Sequence, residues 1–100
     1  MEYGIDEKIF ENLENIFRKH SNISKVILYG SRAKGNYKNG SDIDITIIGE
    51  NLKVDLLYSI MDDIDELNLI YKFDISIYSN IDNSDLIEHI DRVGKIIFQK

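Results

Sequence analysis

Residues 29–48 read Tyr-Gly-Ser-Arg-Ala-Lys-Gly-Asn-Tyr-Lys-Asn-Gly-Ser-Asp-Ile-Asp-Ile-Thr-Ile-Ile. Gly30-Ser31 closes the apolar run Lys25-Val26-Ile27-Leu28-Tyr29. Ten residues later comes Asp42-Ile43-Asp44, at the head of a second apolar run. The first run, with its β-branched pair, predicts a buried strand over 25–29. Lys38-Asn39-Gly40-Ser41 is turn chemistry. The second run alternates, with Ile43, Ile45 and Ile47 on one face and Asp42, Asp44 and Thr46 on the other, which predicts a strand over 42–48.

The flanking segments extend this frame. Ile5, Ile9, Leu13, Ile16 and Phe17 share a helical face within residues 5–19. Val54, Leu57, Met61, Ile64 and Leu67 do the same within 53–67. Phe73, Ile75 and Ile77 alternate with Asp74, Ser76 and Tyr78, which predicts a strand over 72–78. Leu86, Ile90 and Val93 mark a helix over 82–93, with Asp82 or Asn83 as N-cap and Gly94 at its end. Ile96-Ile97-Phe98 reads as a short edge strand. The expected class is α/β (α+β): a small mixed sheet backed by helices, in a single domain over 1–100.

The chemistry lies in the two motifs taken together. Residues two apart on a strand project to one face, with Cα atoms about 6.5–7 Å apart. Asp42 and Asp44 can then lean toward one site, and Asp74 joins them if the strands over 42–48 and 72–78 are neighbours. Such oxygen ligands suit Mg²⁺, which takes one or two carboxylates plus substrate phosphates. Alone, Asp-x-Asp reads as a solvated strand face. Here it interrupts an isoleucine-rich strand, where unpaired charge is expensive to bury. Gly30 permits a sharp exit from the first strand, and Ser31 offers a hydroxyl. Arg32 and Lys34 add positive charge for phosphate, and Lys38 is within reach. Neither a P-loop nor a Gly-x-Gly-x-x-Gly fingerprint occurs.

Composition narrows the rest. The 100 residues carry a net charge of −6, which disfavours direct nucleic-acid binding through a basic surface. Hydrophobic residues make up 43% and charged residues 30%, in the range of a soluble globular chain. No apolar run is long enough to span a membrane, and the start lacks a signal-peptide layout. Cysteine is absent, which excludes disulfides and thiolate metal sites. A cytoplasmic location is the expectation. His20 and His89 read as surface residues, and Asp62-Asp63-Ile64-Asp65-Glu66 as a solvated helix face.

Gly30-Ser31, ten residues, Asp42-x-Asp44 resembles the minimal nucleotidyltransferase family of the DNA polymerase β-like superfamily. Asp74 fits that family's third aspartate, and Ile90, Gly94, Ile97 and Phe98 fit its closing segment. The resemblance implies transfer of AMP from ATP, with Mg²⁺ as cofactor. It implies that Gly30 and Ser31 hold the β- and γ-phosphates and that Asp42 and Asp44 bind the metal. Asp74 would complete the metal site and help activate the acceptor hydroxyl. Larger relatives carry an added acceptor domain, so the acceptor is expected on a partner. The resemblance implies a HEPN-domain toxin, silenced by AMPylation of a tyrosine in a toxin–antitoxin module. Two other readings stand beside this one: an antitoxin acting by contact alone, and a nucleotidyltransferase for small molecules.

Overall fold

The computed structural model describes residues 2–100. Helix α1 (Glu7–Arg18) starts at Asp6, whose carboxylate accepts the Lys8 N–H at 3.1 Å. The cap satisfies a donor that the helix itself leaves free. Leu13, Ile16 and Phe17 form its buried stripe. Strand β1 (Ile23–Tyr29) begins two residues before the predicted start and ends at the short helix α2 (Gly30–Lys34). Strand β2 (Ile43–Gly49), helix α3 (Val54–Asp65) and strand β3 (Phe73–Ile77) follow. A 3₁₀ turn (Tyr78–Asn80), helix α4 (Ser84–Val93) and strand β4 (Lys95–Gln99) complete the order. Asn83 is the N-cap of α4 and accepts from the N–H groups of Asp85 and Leu86.

The sheet runs β3-β2-β1-β4. β1 pairs antiparallel with both β2 and β4, and β2 pairs parallel with β3. This is the expected mixed sheet, with β4 at an edge. Ile43, Ile45 and Ile47 are fully buried in one cluster with Leu13, Ile16, Phe17, Ile60 and Ile64 from α1 and α3. The alternate residues of β2 and their register partners, Tyr29, Asp44 and Asp74, share the opposite face. Helix α4 lies over that face against β1 and α2. Gly94 permits this close approach, because a Cβ there would strike the Ile90 carbonyl and the Ile27 side chain. Its backbone is extended, with φ −61°, so glycine is needed here for space and not for a left-handed cap.

Helix α3 departs from its expected burial. Ile60 and Ile64 face the core, whereas Val54 and Met61 are exposed together with Tyr58. Spacing alone identified the helix but not which side of a broad apolar face meets the sheet.

Candidate active site

Tyr29 leads into Gly30, whose φ of +76° lies in the left-handed region. Glycine reaches that region without a steric penalty. Position 30 favours glycine for a second reason: a Cβ there would displace the Asp44 carboxylate. The elbow and the first carboxylate therefore touch, and the absent side chain is what lets them do so. Ser31 is partly exposed on the elbow, and α2 ends at Gly35, which is also left-handed.

Parallel pairing of β2 with β3 makes Asp44 and Asp74 register partners. Neighbouring strands lie about 4.8 Å apart, so two like charges stand side by side. Just past them, the Ser76 hydroxyl donates to Thr46 Oγ1 at 3.0 Å, tying the two strands together. Asp44 also pairs across β1 with Tyr29. Asp42 lies one residue before β2, exposed at the exit of the 38–41 turn, and not within the strand as predicted. That turn is held by the Ser41 hydroxyl, which accepts the Lys38 N–H at 2.8 Å.

Burial pushes the Asp44 carboxyl up to about 6, and the charges of Asp74 and then Asp42 add to the shift. The Tyr29 phenol is also raised by burial, opposed by a hydrogen bond with Ser76 and reinforced by Asp74 and Asp44. Asp44 is thus a carboxylate whose charge lacks compensation. A hard divalent cation would supply it, and an all-oxygen donor set fits Mg²⁺. Among the described residues no three His, Asp or Glu side chains are gathered into a ready metal cluster. Asp42 and Asp74 nevertheless both act on the Asp44 carboxyl, although the three are not gathered into such a cluster. The donor set still fits, because Mg²⁺ needs only one or two carboxylates when phosphates complete its shell.

Arg32 does not face the elbow's open side. It is 1% exposed, the most enclosed charged residue of the core. Its guanidinium donates to the Ser41 carbonyl at 2.9 and 3.1 Å, to Tyr3 at 2.9 Å and to Asn39 at 3.4 Å. The rings of Tyr37 and Tyr71 flank it at 5.2 and 4.9 Å. The expected phosphate contact is therefore corrected: Arg32 anchors the loop that delivers Asp42. Planarity suits it for this, since a fork of donors can serve several carbonyls at once. Lys34 is exposed and makes no ion pair among the described residues, so its ammonium remains available beside the elbow.

His89 was expected at the surface. Instead it is partly buried, and its Nε2 accepts the Gly30 N–H at 3.1 Å. Its ring meets the Tyr29 ring edge-on, with centroids 6.1 Å apart. Its position one residue before buried Ile90 was the only sequence signal for this, and a weak one.

With the elbow, the paired aspartates and the sheet order established, the chain can be set beside known proteins. The family model Polymerase beta, Nucleotidyltransferase matches residues 11–100, which span the elbow and all three aspartates. The chain belongs to this nucleotidyltransferase family. A proposed protein adenylyltransferase of Methanocaldococcus jannaschii is 40% identical over 47 residues. That match covers 45% of this chain and 47% of the relative, so it spans about half the relative's length. The fold is similar to that of a toxin–antitoxin complex with AMP-PNP, at TM-score 0.72 and 17% identity, covering 91% of this chain and 73% of that one. It is also similar to a tri-AMPylated Shewanella oneidensis HEPN toxin in complex with MNT antitoxin, at TM-score 0.67 and 16% identity, covering 95% and 74%. These likenesses establish a polymerase β-like nucleotidyltransferase fold, as the Gly-Ser to Asp-x-Asp spacing anticipated. None of the helices among the described residues is long and apolar enough to cross a membrane.

Proposed function

We propose that this nucleotidyltransferase transfers AMP from ATP to a hydroxyl of a partner protein, a HEPN-domain toxin that it silences in the cytoplasm. The observation that carries this reading is the register of Asp44 with Asp74, beside an elbow whose missing Cβ the Asp44 carboxylate replaces. The AMP-PNP and tri-AMPylated toxin complexes of similar fold support the choice of nucleotide and acceptor.

In this reading Asp42, Asp44 and Asp74 would hold Mg²⁺, which would supply positive charge against the triphosphate. Gly30 and Ser31 form the seat of the β- and γ-phosphates, the Ser31 hydroxyl donating to a phosphate oxygen. Lys34 adds an ammonium at the rim. Asp74, the more exposed of the register pair, accepts the proton of the acceptor hydroxyl. The acceptor oxygen bonds to the α-phosphorus as the bond to pyrophosphate breaks, and pyrophosphate leaves.

A protein acceptor is supported by a surface away from the elbow. Val54, Tyr58 and Met61 are 49%, 60% and 41% exposed in one row on α3, and Ile70 is 92% exposed after it. Asp55, Asp62, Asp65 and Glu66 flank the row, an acidic rim that suits a basic partner. The same row favours the second reading, an antitoxin that neutralises the toxin by contact without chemistry.

Intact mass spectrometry separates the two readings. The chain is mixed with a candidate HEPN-domain partner, ATP and Mg²⁺. A partner mass raised in AMP steps, and unchanged with the Asp42→Asn/Asp44→Asn variant, is the expected result. An unchanged mass in a complex that still forms would establish the contact reading.

A further inference from the structure

Gly30 is favoured as glycine by its left-handed φ and by the Asp44 carboxylate beside it, yet glycine alone does not hold an elbow in place. Its left-handed and right-handed conformations are nearly equal in energy, and ordering it costs more entropy than ordering any other residue. A site that must keep Ser31 and Asp44 in fixed relation therefore needs an external restraint on residue 30.

Helix α4 supplies that restraint. Its Asn83 cap and buried Ile90 fix it over β1, and the space at Gly94 lets it close onto the sheet. His89 then reaches across 59 residues of sequence to accept the Gly30 N–H. Its edge-on packing against Tyr29 fixes the ring. An imidazole that accepts at Nε2 carries its proton on Nδ1. Gly30 is thus held from two sides, with Asp44 filling the place of its side chain and His89 taking its N–H.

We propose that His89 is a positioning residue for the nucleotide site: it locks the Gly30 elbow in its left-handed state, so that Ser31 and Asp44 meet the triphosphate pre-arranged. This rests on the nucleotide reading above. His89 acts through Gly30 and does not touch the substrate. Restraint applied before binding removes an ordering cost from the binding step.

The test compares the full chain with His89→Phe and His89→Gln. Phenylalanine keeps a ring against Tyr29 and lacks the acceptor, whereas the glutamine amide oxygen can accept an N–H. Calorimetric titration with AMP-PNP and Mg²⁺ reads nucleotide affinity, and amide hydrogen exchange of Gly30 by NMR reads the restraint without nucleotide. We expect His89→Phe to weaken AMP-PNP binding about tenfold, the worth of one hydrogen bond. Gly30 exchange should quicken by a similar factor, and His89→Gln should recover both. Binding by His89→Phe as tight as that of the unaltered chain overturns the assignment. So does a His89→Gln variant as weak as His89→Phe, which would make the role one of ring packing. If the unaltered chain binds no AMP-PNP, the nucleotide reading falls, and the proposal in its stated form falls with it. Gly30 exchange then still reports whether the restraint exists.

Discussion

Asp44 and Asp74 are register partners on the parallel strands β2 and β3, and the Asp44 carboxylate fills the space where a side chain at residue 30 would stand. The β2–β3 pairing thus sets two like charges side by side, and the β1–β2 pairing, which places Asp44 opposite Tyr29, brings one of them against the glycine elbow. Repulsion between them is unfavourable in the free protein. It is the kind of local conflict that marks a functional site, where a bound cation would relieve what the fold alone leaves unbalanced.

The perturbed Asp44 carboxyl has a consequence for stability. Its folded value of about 6 lies above the ordinary 3.8. A carboxyl shifted this way favours the folded chain while protonated. That contribution is complete below the ordinary value and is lost as pH rises through about 6. Asn at this position stays neutral throughout. In metal-free buffer, the melting temperature of Asp44→Asn relative to the unaltered chain should therefore rise between pH 4 and pH 7. A difference that stays flat over this range would mean that Asp44 ionises as an ordinary surface carboxyl.

Asp74 is exposed, and its replacement leaves the core untouched. Asp74→Asn should fold with near-parental stability and lose AMP transfer by about 100-fold or more, the usual weight of a positioned base. Transfer rates measured alongside urea unfolding midpoints check both halves. Unchanged transfer would remove Asp74 from the reaction.

Arg32 is the residue whose loss should be felt most in the fold. Arg32→Met takes the donors from the partly buried residues Tyr3 and Ser41, at about 1–3 kcal/mol for each carbonyl left unsatisfied, while the carbonyl of exposed Asn39 can turn to water. We expect a loss of about 3 kcal/mol or more in urea unfolding. Arg32→Lys should recover little of it, because a point charge cannot serve three carbonyls as a fork does. A change below about 1 kcal/mol would mean that water replaces the guanidinium.

Gly30→Ala combines backbone strain with a clash. A left-handed residue with a side chain costs about 1–2 kcal/mol, and the new methyl displaces the Asp44 carboxylate. AMP transfer should fall further than the stability loss accounts for. Gly40→Ala is the control, since nothing lies within 4 Å of the added atom. Equal effects at the two positions would detach the elbow from the function.

Some of this was legible along the chain. Gly30, Ser31 and Asp44 follow from short-range spacing, and so do the alternations of β2 and β3. Arg32 was misread because a cation next to a phosphate motif is ordinarily solvent-facing. Its enclosure depends on Tyr3, Tyr37 and Tyr71, which no local pattern links. Asp42 was set inside the strand because alternation continues through it, whereas the 38–41 turn delays the first pairing to Ile43.

The sequence by itself determined the elements, their apolar faces and the elbow-to-carboxylate motif, because periodicity and turn chemistry act over a few residues. Only the tertiary structure decided that β3 lies parallel beside β2, that Arg32 turns inward and that His89 reaches Gly30. Each of these depends on which surfaces of distant segments are buried against one another. That choice is made by the packing of the whole chain, and no single stretch of it carries the answer.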